Sequence, residues 1–311
     1  MPAPSGRPAW HQLPADARAA VEARTRSSVL GAEYPSGGFT PGIAARLLLA
    51  DGRRVFLKGV QASDGTVEMY QAEAQVGAHL PCEIAPALLW SLETDGWLLL
   101  GFEDLPGPRP DLSPGSGDLS SVLATLARLA PALTPTPVRV SSFSTLADTL
   151  TGHWHRLAPA TEWDREHAAH LARLDDGPGL VRVTGGETLL HCDLRADNML
   201  TAPGGGVRVI DWAWASEGAA WVDVAFFLPQ LVLAGHSVQG AELLVAEQVP
   251  VWREAPEAGV LGFATAITGY WLWQQQHGPG GDLGAYRGRA AQAGREWISY
   301  RAGLKPPEPQ G

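Results

Sequence analysis

The sequence predicts an α+β chain of two lobes: a small antiparallel β-sheet carrying one key helix, then a larger, mainly helical region. Three observations predict it. Two pairs of apolar strands flank Asp–Gly turns, IAARLLLA and RRVFLKGV around Asp51–Gly52, and ALLWSLE and WLLLGF around Asp95–Gly96. Such turns are a strong hairpin signal. Between the hairpins TVEMYQAEAQVGAHL (66–80) is apolar at helical spacing, with an acidic first half as a helix start prefers. Beyond the second hairpin, helical periodicity dominates.

In chain order, residues 1–10 read as a loose lead-in and LPADARAAVEARTRSSV (13–29) as a helix. Strands follow from about 30 to 102, interrupted by the 66–80 helix. EDLPGPRPDLSPGSGD (103–118), rich in Pro and Gly, reads as a connector. Helices are expected near 119–131, 142–157, 163–174, 220–234, 238–252, 256–275 and 283–302. The 188–214 region is the exception: LLH, NML and VRVID look like short strands around the turn Gly204–Gly206. The expected division is an N-terminal lobe 1–102, a hinge 103–118, a C-terminal lobe 119–302 and a disordered tail 303–311. The apolar run 258–273 ends in Gln274, Gln275, Gln276 and His277, short of the ~20 residues a span needs, so it reads as a buried helix.

Composition narrows the function. Hydrophobic residues make up 45% and charged residues 18% of 311, as in an ordinary globular protein. A net charge of −10 argues against nonspecific binding to nucleic acid or anionic membrane and is compatible with cationic partners. Two cysteines, Cys82 and Cys192, suggest neither a disulfide framework nor a zinc site. No stretch of signal-peptide character opens the chain, which makes the cytoplasm the default expectation.

The stretch LLHCDLRADNML (189–200), followed by VRVIDWAWA (207–215), carries the chemistry. Two carboxylates and an amide between short apolar runs cost desolvation unless they hold something. Asp193 and Asn198 are five apart, and Asp211 ends an apolar strand thirteen residues later. This H-x-D-x-x-x-x-N pattern, followed by an Asp after a hairpin, resembles the catalytic and metal loops of the kinase superfamily. Phosphoryl transfer needs an anion to orient the acceptor hydroxyl and oxygen ligands to hold Mg²⁺ against nucleotide phosphates.

The N-terminal half supplies the matching parts. VFLKGV places Lys58 inside an apolar strand of a chain that uses 21 Arg and only 2 Lys. So lone a lysine suggests a site where a compact ammonium is needed. Glu73 is the best helix partner for it, with Glu68 the alternative. SGGFTPG (36–42) is the loop candidate: Gly37, Gly38 and Gly42 allow close backbone approach, and Thr40 could donate a hydroxyl. The loop departs from G-x-G-x-x-G.

Trp212 follows Asp211 where protein kinases would have Phe-Gly, no A-P-E element follows, and a D-hydrophobic-A helix start appears at Asp223. HCDLRADN, then IDW, then that Asp resembles the aminoglycoside phosphotransferase and choline kinase-like family, over roughly residues 30 to 300. The resemblance implies a bilobal protein-kinase-like fold, ATP or GTP with Mg²⁺, and transfer to a small-molecule hydroxyl. It implies Asp193 as base, Asn198 and Asp211 as metal ligands, and Lys58 with Glu73 on the phosphates. It also implies that backbone near Phe102, Glu103 and Asp104 meets the base. Asp223 and His191 would brace the catalytic loop, and Arg195 could touch the transferring phosphate. Cys192 stands where the family often has Gly. Asp197 reads as a solvated charge.

The acceptor is expected to be an aminoglycoside or similar amine-bearing alcohol, in antibiotic resistance or biosynthesis. Of 33 acidic residues 23 lie after residue 101, against 15 of 23 basic ones. Glu162, Asp164, Glu166 and Glu308 read as solvated surface; Glu217, Glu254, Glu257 and Asp282 are candidate acceptor contacts. Trp214 or Trp271 would line the pocket. Two alternatives remain: a kinase of a natural-product intermediate or of Ser/Thr in a biosynthetic peptide, and a catalytically silent kinase-like nucleotide-binding protein.

Overall fold

The structure is a computed structural model that describes residues 7–35 and 41–308. The chain divides into two compact units: residues 1–110 with 197–215, and residues 111–196 with 216–311.

The first unit is built on a five-stranded antiparallel sheet. A helix, α1 (Ala15–Thr25), precedes β1 (Val29–Glu33), β2 (Ile43–Leu49) and β3 (Arg54–Gln61); α2 (Val67–Gly77) precedes β4 (Leu88–Thr94) and β5 (Trp97–Glu103). The spatial order is β1-β2-β3-β5-β4. Alternation along β3 serves both faces. Val55 and Leu57 enter a core with Leu13, Ala17 and Val21. On the other face Val60 and Phe56 pack with Tyr70 of α2, and Lys58, at the same parity, shares that face. At the second hairpin Asp95 (φ 47) and Gly96 (φ 74) both take the left-handed backbone that a tight two-residue turn requires.

The segment 197–215, expected within the helical lobe, packs with this sheet. Its strands β7 (Met199–Thr201) and β8 (Val207–Val209) form a hairpin. Main-chain bonds explain the attachment: Thr201 N–H donates to Pro108 O at 2.9 Å, and Val209 N–H to Ile84 O at 2.8 Å. Arg208 adds an ion pair to Glu103.

The second unit is mainly helical. It contains α3 (Leu119–Leu133), α4 (Phe143–Leu150), α5 (Glu162–Leu174), α6 (Gly177–Thr184), α7 (Trp221–Leu233), α8 (Val238–Gln248), α9 (Glu257–His277) and α10 (Gly281–Ala302). Two short strands, β6 (Thr188–Leu190) and β9 (Ser216–Gly218), pair antiparallel. Among the described residues no helix is long and apolar enough to cross a membrane.

Several elements differ from expectation, each for a local reason. The first helix stops at Thr25, because Arg26 turns left-handed (φ 56) and Glu22 reaches across to the amide of Val29. The helix expected over 142–157 ends at Leu150: Gly152 (φ 77) breaks it, and Asp175 captures the amide of Trp154 instead. Helix α6 went unread, since Gly-Pro-Gly looks like a breaker although Pro suits a first helical turn. Asp164 is not solvated. It is buried in a two-pronged pair with Arg295, at 2.7 Å on both oxygens, while one oxygen also caps Ala160 and Thr161. In the C-terminal segment the Lys305 carbonyl accepts the Trp163 indole at 2.9 Å, and residues 309–311 lie outside the described residues.

Candidate active site

In the first unit, β3 delivers Lys58 toward α2. Its ammonium donates to Glu73 at 2.6 Å and to Asp211 at 2.7 Å. Glu68 is exposed. Burial works against the charge on Lys58, but the two carboxylates outweigh it and hold the ammonium above the ordinary lysine range. Burial pushes the Glu73 carboxyl up to about 7, against the pull of Lys58. Tyr70, one helical turn before Glu73, sets its ring 5.6 Å from the Lys58 nitrogen. The sequence reading missed Tyr70, although its i, i+3 spacing to Glu73 marks the same face.

Gly42 has no room for a side chain: a Cβ there would collide with Gly59 O and the Tyr70 hydroxyl. The close approach is thus between loop end and sheet. Gly37, Gly38 and Thr40 lie outside the described residues.

Asn198 and Asp211 stand at the same end of the β7–β8 hairpin, where Ile210 N–H donates to Asn198 O at 2.9 Å. Asn198 is buried; Asp211 is 36% exposed at its side chain. Asp211 has φ 67, a sparsely populated backbone region for a non-glycine residue. It is held there by neighbours, because Trp212 is buried and its indole donates to Val209 O. The oxygen donors of Asn198 and Asp211 fit Mg²⁺, which takes one or two protein ligands and completes its shell with waters and phosphates. Among the described residues no group of three or more His, Cys, Asp or Glu forms a denser metal cage.

Phe102 and Glu103 end β5, and Asp104 follows the strand. Phe102 is buried. The Glu103 carboxylate pairs with Arg208, and Asp104 with Arg46 and Arg54, so both acidic side chains serve the sheet. Trp214 is exposed, and Trp271, in the second unit, is buried.

In the second unit, the loop after β6 carries Asp193. His191 is fully buried, and its Nδ1 accepts from Asp193 N–H at 3.2 Å. Asp223, on the first turn of α7, accepts from the amides of His191 at 2.8 Å and Cys192 at 2.9 Å. Burial pushes the Asp223 carboxyl up to about 6, while these two donors pull it down. Cys192 is left-handed, φ 63, which explains why glycine suits this position. Burial pushes its thiol well above the usual range, which makes it a poor nucleophile. Arg195 Nε lies 3.2 Å from Asp193 Oδ1, and its guanidinium stacks 5.2 Å from the Tyr286 ring. Tyr286 and its partner Gln230 carry no sequence signal, being set on helices far along the chain.

Comparison with known proteins completes the picture. The model of the phosphotransferase enzyme family matches residues 44–257. No curated protein matches the sequence. Among solved structures, the chain resembles the GDP and kanamycin complex of APH(2")-IIia, with 15% identity and a TM-score of 0.59, covering 91% of this chain and 97% of that one. It also resembles choline kinase LicA from Streptococcus pneumoniae (15% identity, TM-score 0.56, 89% and 98% covered). A third likeness is an aminoglycoside phosphotransferase from Alicyclobacillus acidocaldarius (14%, 0.56, 88% and 92%). The fold is thus the protein-kinase-like one, and the chain belongs to the phosphotransferase enzyme family.

Proposed function

We propose that this protein moves the γ-phosphate of ATP or GTP, in the presence of Mg²⁺, to a hydroxyl of a small amine-bearing alcohol. The observation that carries this reading is the Lys58–Glu73–Asp211 cluster: one ammonium shared by two carboxylates, one of them partly open to solvent. An uncommitted ion pair would gain little from such burial. A phosphate-gripping lysine needs a fixed partner and an exchangeable one, and Glu73 and Asp211 supply the two roles.

In this reading Lys58 binds nucleotide phosphate oxygens, Glu73 fixes the lysine's direction, and Asn198 and Asp211 would hold Mg²⁺. When bound, the ion neutralises charge on the phosphates. Asp193 accepts the hydrogen bond of the acceptor hydroxyl and orients it for attack. Asp223 and His191 hold the loop that carries Asp193. The main chain at Phe102–Asp104 takes the nucleotide base, and Gly37, Gly38, Thr40 and Gly42 belong to the phosphate loop.

The acidic balance of the chain supports a cationic acceptor. Asp164 and Glu242 are consumed in ion pairs, whereas Glu217, half-buried on β9, and the exposed Glu254, Glu257 and Asp282 are among the carboxylates able to meet an amine. The kanamycin complex and the choline kinase among the structural relatives point to the same class. A product screen with ATP and GTP against aminoglycosides, choline, homoserine, amino sugars and a Ser-rich peptide tests it. Phosphorylation of an amine-bearing alcohol, with an acceptor KM that rises with ionic strength, is expected. Turnover of a neutral acceptor with a salt-independent KM would remove the cationic reading.

A further inference from the structure

We infer that Tyr286 is a positioning residue for the catalytic loop, anchored by Gln230 and acting through Arg195 on the Asp193 carboxylate. The inference rests on the phosphotransferase reading and assigns this loop a second brace.

Within the loop 191–195, Asp193 N–H donates to His191 Nδ1. The loop lies beyond β6, and Cys192 is in left-handed backbone, so no regular ladder fixes it. Asp223 secures the main chain at His191 and Cys192. That contact acts on the backbone, whereas the Asp193 carboxylate turns about its own side-chain bonds. Arg195, whose Nε lies 3.2 Å from Asp193 Oδ1, is an ion-pair partner that restricts it.

Arg195 is itself a long side chain with several rotors, and it orients Asp193 only if it is held. The face of Tyr286 holds it, at 5.2 Å from the ring centre. Tyr286 is fixed in turn, since its hydroxyl accepts from Gln230 Nε2 at 2.9 Å. Gln230 is buried on α7, seven residues beyond Asp223, and so on the same helical face. One helix therefore braces the loop twice, through the backbone by Asp223 and through a side-chain relay by Gln230. Packing alone would account for a ring at this place, but not for a ring whose face meets the arginine and whose hydroxyl meets a buried amide.

A double-mutant cycle tests the relay, read as Mg²⁺-dependent hydrolysis of ATP and GTP with water as acceptor. Tyr286→Leu should lower kcat about tenfold while leaving nucleotide Kd within about twofold, the pattern of a group that acts on the chemical step. Tyr286→Phe, which keeps the ring and drops only the hydroxyl tie, should lose about threefold. Combined with Arg195→Ala, Tyr286→Leu should cost little further, because both remove one device. Losses that multiply, or a nucleotide Kd that weakens in step with kcat, would overturn the inference and leave the phosphotransferase reading intact. Should Tyr286→Leu fail to fold, Gln230→Met and Tyr286→Phe replace it; they share one hydrogen bond, and multiplicative losses between them would overturn the inference equally. An unmodified protein that turns over neither nucleotide would overturn the reading beneath it, and the inference with it.

Discussion

Lys58 and Asp211 are joined directly, Nζ to Oδ1 at 2.7 Å, across 153 residues of sequence. The same ammonium holds Glu73 at 2.6 Å. Glu73 is fully enclosed by α2 and the sheet, whereas Asp211 is partly exposed, so the two bonds are not equivalent. A phosphate arriving at Lys58 would replace the bond to Asp211 and leave the bond to Glu73 in place.

Removing the ammonium should therefore expose the cost of burying Glu73. In Lys58→Met the Glu73 carboxyl loses its counter-ion and its pKa rises above about 7. The folded state then holds a proton that the unfolded state has released, so stability falls as pH rises through neutrality. The loss relative to the unmodified protein should grow from pH 6 to pH 8.5, reaching about 2–4 kcal/mol. Adding Glu73→Gln should restore most of it. Chemical denaturation at the two pH values measures both, and a pH-independent loss would mean that Glu73 is not the group responsible.

Asp193→Asn should separate chemistry from binding. The substitution keeps the shape and the Asp193 N–H bond to His191 Nδ1 while removing the charge. Turnover should fall by about 10²–10⁴, the usual contribution of a positioned base. Nucleotide affinity should stay within a factor of about two, since no phosphate contact is lost. Steady-state kinetics with a calorimetric titration read the two quantities, and a parallel loss of affinity would contradict the role given to Asp193.

Asp223→Asn probes the brace of the loop. An amide offers one acceptor where the carboxylate offers two, so the amide of His191 or of Cys192 goes unpaired, at about 1–3 kcal/mol. The pH dependence carries a sign. The carboxyl of Asp223 sits at about 6 in the fold, pushed by burial above the 3.8 of a free aspartate side chain. Its contribution is complete below 3.8 and is lost as pH rises through about 6. The stability difference between the unmodified protein and Asp223→Asn should thus decline from pH 4 to pH 6.5 and be flat above. A difference that grows over that interval would reverse the assignment.

Which residues come together was readable wherever chemistry left a local mark. Lys58 stood out as one of two lysines in an arginine-rich chain, and Asp211 as a carboxylate closing an apolar strand. Asp–Gly pairs announced both hairpins, because glycine accepts the left-handed backbone found at Gly52 and Gly96. Long-range pairing left no such mark. Asp164 looked like a helix-start charge, and only Arg295, 131 residues away, makes it a buried one. Gln230 meets Tyr286, and Tyr286 meets Arg195, across elements whose pairing periodicity does not encode. The attachment of 197–215 combines main-chain bonds, which depend on no side-chain identity, with the side-chain ties of Arg208 to Glu103 and Asp211 to Lys58, 105 and 153 residues apart in sequence.

The most direct test of the account is a calorimetric titration with nonhydrolysable ATP and GTP analogues, with and without Mg²⁺, on the unmodified protein and on Asp211→Ala, whose folding a thermal melt confirms. The account predicts one nucleotide per chain, bound by the unmodified protein only when Mg²⁺ is present, and no Mg²⁺-dependent binding to Asp211→Ala. Failure of the unmodified protein to bind either analogue in either condition, or equal Mg²⁺-dependent binding by Asp211→Ala, would contradict it.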